Sequence, residues 1–293
     1  MKKRLLLSII TAMLLLNACS INNNISLEES SIDASSTETS APENVSEDYS
    51  SNDYSSQIKA EIDTAITDSL SDELKNIDEI YNKYYEIDQN TTDQTQMNES
   101  SQWGTLVWKY ESEKLLERIK EKSPTNYDDI LSEYETWEKY VPSMVEKMSS
   151  FYENGSIYST IYSYNEAMRY RQKAFFLAST LADFMGDSNF TLPDSSMCGY
   201  YGDYTTNSYL IITEEVENDS YNIIIHIDDS KELHGNATLY EYPEDKYVLL
   251  FTSEDESVKG TIDYFEPDAT FYVSETDNTV VYPEEAFTFR FKY

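Results

Sequence analysis

Carboxylates are the side chains most able to do chemistry in this sequence, because acidic residues outnumber every other ionisable type. The 293 residues include 55 Asp and Glu, 21 Lys and Arg, two His and two Cys. Two facing carboxylates could hydrolyse a glycosidic bond, one of them as the general acid. The candidates by residue type are Asp128-Asp129, Asp228-Asp229 and Glu254-Asp255-Glu256. Each lies beside a predicted turn or helix start, where solvated acids are common, so we predict neither a catalytic residue nor an enzyme.

The histidines and cysteines are too few for a His-rich or Cys-rich metal site. His226 and His234 are eight residues apart on adjacent predicted strands. They could ligate a metal or transfer a proton, but no further His or Cys completes a zinc site, so we expect surface histidines. Cys198 has no basic neighbour in the sequence that would activate its thiol, and we expect a small, partly buried residue there. We predict no metal and no cofactor.

The net charge limits the class of partner. It is −34 at neutral pH, with an isoelectric point near 4.1. Nucleic-acid binding requires clustered Lys and Arg, and so does binding to an anionic membrane surface through a polybasic segment. The net charge therefore argues against both classes of protein. A hydrophobic fraction of 40% with 14% aromatic residues is too high for a wholly disordered acidic chain. The composition therefore predicts a folded, acidic protein.

Residues 1–18 have the features of a lipoprotein signal peptide. Basic residues at 2–4 precede an apolar run over 5–16, which is too short for a usual transmembrane helix. The sequence Leu16-Asn17-Ala18-Cys19 resembles a bacterial lipobox, in which the Cys becomes the lipid-modified N-terminus. An ordinary secretory signal with an incidental Cys is the alternative. The resemblance implies lipidation of Cys19 and a membrane anchor on the extracellular face of a Gram-positive cell, or in the periplasm of a Gram-negative one.

Composition divides the remaining chain into three parts. Residues 19–56 hold Cys19 and an acidic, Ser-rich segment without Lys or Arg, which predicts a disordered tether. Over 57–185 apolar residues recur every three or four positions, which predicts a helical bundle. Over 186–293 they alternate, and seven or eight short strands would form an antiparallel meander that closes into a barrel or a sandwich. The predicted fold class is therefore α+β, with the bundle before the β domain.

Local signals predict where these elements are interrupted. The polar residues 89–98 predict a connection, and Ser123-Pro124 predicts the end of a helix. Pro142 lies inside the strongest apolar stripe and should kink or break that helix. Gly235 and Gly260 lie within strand patterns, where glycine often marks a bulge.

A few residues of the helical part resemble a known family. Trp137 lies in a Glu-rich helix, Gly155-Ser156 at a predicted turn, and Arg171 in the last helix. In these residues, and in Leu74 and Ile80-Tyr81, the segment over about 72–182 resembles the LprI-type lysozyme-inhibitor family of bacterial lipoproteins and exported proteins. The resemblance implies a helical fold and binding of lysozyme. Alternatively, the same residues have structural roles as a core anchor, a turn and a helix–helix contact.

The sequence thus predicts a binding protein. The candidate contact residues are Trp137, Gly155, Ser156, Arg171, Tyr140 and Tyr158, of which the two tyrosines fall off the main apolar stripes. Residues 186–293 carry 23 acidic and 5 basic side chains, so the β domain should attract a cationic protein. The expected partner is lysozyme or another cationic wall hydrolase, bound by a monomer. The alternatives are an envelope lipoprotein that binds a ligand without inhibiting any enzyme, and a hydrolase with facing carboxylates.

Overall fold

A computed structural model describes residues 53–290, apart from 90–93, 193–195, 203–206, 216–219, 243–245, 266–267 and 278–279. The predicted signal peptide, Cys19 and nearly all of the predicted tether lie outside the described residues. Among the helices that the structure describes, none combines the length and the apolar character needed to cross a membrane.

Helices come first and strands second within this described part. The helices are α1 (Ser55–Ala65), α2 (Leu70–Gln89), α3 (Gln94–Lys122), α4 (Pro124–Ser149) and α5 (Tyr158–Met185). The strands are β1 (Gly199–Gly202), β2 (Tyr209–Glu214), β3 (Ser220–Asp228), β4 (Lys231–Tyr242), β5 (Lys246–Ser253), β6 (Val258–Phe265), β7 (Asp268–Thr276) and β8 (Ala286–Arg290). Each strand pairs antiparallel with the next, and β8 returns beside β1, so the sheet is a nearly closed barrel. The predicted α+β order, bundle before meander, is confirmed.

Helix α3 is the centre of the bundle, because it contacts all four other helices. Its buried surface is therefore wider than one stripe and includes Val107, Trp108, Leu115 and Ile119. The Trp108 ring packs edge-on against Phe175 of α5, with 5.7 Å between ring centres.

Apolar side chains fill the interior of the barrel. They come from alternate positions of the strands, as in Leu210, Ile223, Ile225, Phe251 and Phe271. Gly260 lies at a shift of the β6–β7 register, where a side chain would overlap the Tyr272 carbonyl and the Phe271 ring. The bulge predicted there is confirmed. Gly235 lies in regular β3–β4 and β4–β5 pairing, so the bulge predicted there is wrong. A Cβ at Gly235 would overlap the Thr252 carbonyl and the ring of Phe251.

Three other local features differ from the predictions. Helix α4 is not broken at Pro142 but continues to Ser149, because Val141, Met144 and Val145 are buried around the proline and hold this stretch against the bundle. Helix α2 extends to Gln89 and α3 begins at Gln94, so the predicted connection over 89–98 is shorter. Gln, Met and Glu have high intrinsic helix propensity, which a search for apolar periodicity does not detect. Helix α1 begins at Ser55, two residues inside the predicted tether.

The helices cover one outer face of the barrel. Tyr200, Tyr209, Ile211 and Ile224, from β1 to β3, join the hydrophobic core of the bundle. The outer face of β4, β5 and β7 remains exposed and carries Tyr240, Tyr242, Leu250 and Tyr272.

Candidate interaction surface

Trp137 is part of the core of the bundle and is 2% exposed. Its ring packs against Tyr170 of α5, with 5.2 Å between ring centres, and against Tyr134, at 5.7 Å. The structure therefore gives Trp137 no surface through which it could contact a partner.

Arg171 joins two helices. Its Nε and one terminal nitrogen each donate a hydrogen bond of 2.9 Å to the carboxylate of Asp78 on α2. The guanidinium carbon also lies 4.2 Å from the ring centre of Phe175. Arg171 thus makes the kind of helix–helix contact that was the structural alternative for this residue.

Gly155 and Ser156 are exposed in the turn that precedes α5. The Gly155 N–H donates a 2.8 Å hydrogen bond to the carbonyl of Tyr152, which closes that turn. Tyr140 is 41% exposed on α4. Tyr158 is half-buried at the start of α5, with its ring centre 6.1 Å from that of Tyr162. The six predicted contact residues therefore occupy different environments, and the structure does not gather them into one site.

Both histidines of the chain share one carboxylate. His226 Nδ1 and His234 Nε2 each lie 2.7 Å from a different oxygen of Glu232, and Tyr209 donates to the same side chain over 3.1 Å. Burial favours the neutral form of Glu232, but the hydrogen bonds from His234 and His226 outweigh it, and the pKa of Glu232 falls below its usual value. These donors engage both oxygens, so Glu232 is a poor general base.

This histidine–glutamate cluster lies where the bundle meets the sheet. Tyr209 stacks on His226, with 4.6 Å between ring centres, and Lys147 of α4 lies 4.1 Å from the centre of the Tyr209 ring. Burial lowers the pKa of Lys147. Within the described residues, no group of three or more His, Cys, Asp or Glu side chains is arranged to hold a metal ion. We therefore regard the cluster as a contact between helix and sheet.

Two of the acidic candidates lie at the same end of the barrel. Alternate turns of an antiparallel meander lie at the same end of the strands. This end of the barrel therefore holds the β3–β4 turn, the β5–β6 turn and the end of β7. The backbone N–H of Glu254 donates to the His234 carbonyl, and that of Asp277 donates to the Ser257 carbonyl, each over 2.9 Å. The first bond joins the β5–β6 turn to β4, and the second joins the end of β7 to the β5–β6 turn. We call the exposed carboxylates at this end of the barrel the acidic rim. They are Asp228, Asp229, Glu254, Asp255, Glu256 and Asp277.

Local hydrogen bonds hold carboxylates of the acidic rim in their ionised form. The hydroxyl groups of Ser257 and Ser253, with the Ser257 N–H, donate to Asp255 and lower its pKa to about 2. The hydroxyl and N–H of Ser230 likewise lower the pKa of Asp228. Asp128 and Asp129, the third acidic candidate, are exposed in the first turns of α4 and lie outside the acidic rim.

Many basic side chains of the bundle form intramolecular ion pairs or are buried. Ion pairs join Lys83 to Glu61, Lys109 to Glu138, Lys114 to Asp63, Arg118 to Glu73 and Arg171 to Asp78. Arg169 and Lys173 are buried. The ion pairs partly neutralise the surface of the bundle, and the excess negative charge is concentrated on the β domain.

Sequence reasoning missed a buried carboxyl pair, Glu73 of α2 and Glu111 of α3. Both residues have no solvent exposure. Burial raises the pKa of Glu111 to about 8, and the charge of Glu73 and a hydrogen bond to it act in the same direction. Arg118 donates to Glu73, as does the N–H of Thr67 over 3.2 Å. Such a pair resembles a catalytic acid dyad, but it is closed off from substrate inside the bundle.

No protein-family model, curated protein or solved structure matches this chain. A functional assignment therefore rests on the residues described above. Of these, the acidic rim is the surface with the clearest chemistry, because it presents several solvent-exposed carboxylates at one end of the barrel, two of which have a lowered pKa.

Proposed function

We propose that this protein is a lipid-anchored cell-surface protein that binds a cationic protein through its acidic rim. Lysozyme or another cationic wall hydrolase is the proposed partner, and inhibition would follow from covering the partner's active-site cleft. The proposal assigns no catalytic step to this chain.

The observation that carries the proposal is the acidic rim itself. Its carboxylates come from turns that are separated in the sequence, and the antiparallel strand order places these turns at the same end of the barrel. Asp228 and Asp255 stay ionised through local hydrogen bonds. Lys231 and Lys259 lie at the same end of the barrel, so the acidic rim has an excess of negative charge rather than one sign alone. Such an excess raises the local concentration of oppositely charged partners and accelerates their association.

Two features of the sequence support the choice of partner and location. The lipobox-like residues before Cys19 support an anchor at the outside of the cell, where wall hydrolases act. The resemblance of about 72–182 to the LprI-type family supports lysozyme as the first partner to test. Because Trp137 and Arg171 are engaged in the bundle, we propose that contact is made by the acidic rim rather than by these residues.

A second candidate function is an envelope lipoprotein that binds a ligand without inhibiting any enzyme. The exposed tyrosines on the outer face of β4 and β7 favour it, because Tyr240, Tyr242 and Tyr272 present aromatic surface to solvent. Exposed aromatic side chains are enriched where proteins recognise partners. The filled barrel interior gives no support to a ligand inside the barrel.

The proposed function is tested by measuring lysozyme binding and lysozyme turnover at low ionic strength. We expect saturable binding, with turnover falling in proportion to occupancy, and weaker binding as salt screens the charges. Saturable binding with unchanged turnover would reject inhibition and favour the second candidate. An absence of binding at low ionic strength would contradict lysozyme as the partner.

A further inference from the structure

A cavity of about 110 Å³ lies between α5 and the first strands of the barrel. Apolar side chains form much of its wall, among them Met148, Met168, Phe175 and Ile212. Leu192 and Glu214 also line it, and because both are exposed they mark the side that meets solvent. The cavity is separate from the acidic rim.

Two polar atoms in this wall lack a hydrogen-bond partner among the described residues. They are Oε1 of Gln172 and Oγ1 of Thr213, and both are buried. Thr213 is 8% exposed, and on β2 it faces the helices. The amide nitrogen of Gln172 donates to the Cys198 carbonyl over 3.4 Å, so its Oε1 is left as an acceptor. A buried polar atom without a partner is costly, and a bound group that donates hydrogen bonds would remove that cost.

We propose that this cavity binds a small neutral molecule with a hydroxyl or primary amide at one end and an apolar chain at the other. The polar end donates to Gln172 Oε1 and hydrogen-bonds to Thr213 Oγ1, and the chain packs against the methionines and Phe175. An apolar cavity of about 150 Å³ accommodates benzene, so about 110 Å³ holds roughly four or five non-hydrogen atoms, and a slightly longer ligand would extend to the side that meets solvent.

The head group should be uncharged, because an ionised group would lose its hydration against a largely apolar wall. Arg169, Arg171 and Glu214 also line the cavity. Arg171 is already paired with Asp78, and Glu214 is exposed to solvent, so neither offers an unpaired buried charge to an ionised ligand. Burial raises the pKa of the Cys198 thiol to about 12, so this side chain is neutral as well.

Four probes with the same carbon chain test the head group: butanamide, butan-1-ol, butanoate and butylammonium. Binding is followed by ligand-observed NMR on the whole protein, and by the rate at which a thiol reagent modifies Cys198. We expect millimolar binding of butanamide and butan-1-ol, with slower modification of Cys198, and no binding of the charged probes. If butanoate or butylammonium binds most tightly, the proposed neutral ligand is wrong.

Thr213→Val keeps the shape of the side chain but removes its hydroxyl. This substitution should weaken the binding of butanamide about fivefold or more while the protein stays folded, because one hydrogen bond to the ligand is lost. Thr261→Val, on the outer face of β6, is the matched control and should leave binding unchanged. If no probe binds to the wild-type protein and Cys198 reacts at the same rate throughout, the cavity holds only water and the proposal is overturned. Equal affinities of Thr213→Val and wild type would also overturn it.

Discussion

Arg171 of α5 holds Asp78 of α2 through two hydrogen bonds of 2.9 Å each. The two side chains are 20% and 27% exposed, so the pair is partly shielded from water. Paired hydrogen bonds between a guanidinium and a carboxylate fix geometry as well as charge. This contact explains why the last helix of the bundle carries an arginine at this position without any partner protein.

Arg171→Met should therefore lower the free energy of unfolding by about 1–3 kcal/mol, because Asp78 is left without its partner. It should leave lysozyme affinity nearly unchanged. Denaturation in urea and a binding titration measure the two effects. Lys75→Met is the control: Lys75 pairs with Asp72 on the surface, with side chains 66% and 63% exposed, and should cost less than about 0.5 kcal/mol. A folded Arg171→Met protein that loses lysozyme binding would contradict the structural role.

The buried carboxyl Glu111 should make stability depend on pH. Its pKa rises from 4.5 in the unfolded chain to about 8 in the folded protein. Between these values the folded state binds more protons than the unfolded state, so the unfolding free energy falls as pH rises from about 4.5 to about 8. Glu111 imposes no penalty below that window and its full penalty above it.

Glu111→Gln removes this ionisation while keeping a similar shape. Compared with wild type, the variant should gain stability between about pH 5 and about pH 9, on the order of 1–3 kcal/mol. Urea denaturation across that range gives the difference. Glu121→Gln changes an exposed position on the same helix. Its free energy of unfolding should vary with pH in the same way as that of the wild type. A constant difference between Glu111→Gln and wild type at all pH values would show that Glu111 does not titrate as described.

Gly260 should tolerate no side chain. A Cβ there would overlap the Tyr272 carbonyl and the Phe271 ring, so Gly260→Ala should cost more than about 3 kcal/mol or prevent folding. At Gly155 the nearest atom to a Cβ is the Tyr152 carbonyl oxygen, at 3.2 Å, and Gly155→Ala should cost about 1 kcal/mol or less. The melting temperatures of the two variants, measured by thermal unfolding, test this difference in stability. Similar melting temperatures would argue against the close packing at the β6–β7 bulge.

The fold class was predictable because two periodicities follow one another along the chain. Repeats of three or four residues marked helices that bury one side, such as the Ile58 and Ile62 face of α1. Alternation at Ile223, Ile225 and Ile227 marked a strand with one face inside the barrel. The burial of Trp108 and Glu111 could not be predicted in this way, because α3 is surrounded by helices and has more than one buried face.

The candidate site was predictable only in pieces. Asp228-Asp229 and Glu254-Asp255-Glu256 were recognised as separate acidic pairs or triplets, but their shared edge depends on strand order and register. Glu232 was missed. It pairs directly with His226 across the β3–β4 hairpin and lies two residues from His234 on the same strand, so hairpin register was the signal that would have found it.

We propose that the acidic rim, and not the overall negative charge, binds the cationic partner. The most direct measurement is the Kd for lysozyme of two variants that each lose four negative charges. One changes the acidic rim (Asp228→Asn, Asp229→Asn, Glu254→Gln, Glu256→Gln), and the other changes exposed acids of α3 and α4 (Glu121→Gln, Asp128→Asn, Asp129→Asn, Glu135→Gln). We predict that the rim variant raises Kd at least about tenfold at low ionic strength and loses most of its salt dependence, whereas the helix variant changes Kd less than about threefold. Equal weakening by both variants, or no weakening by the rim variant, would contradict the claim.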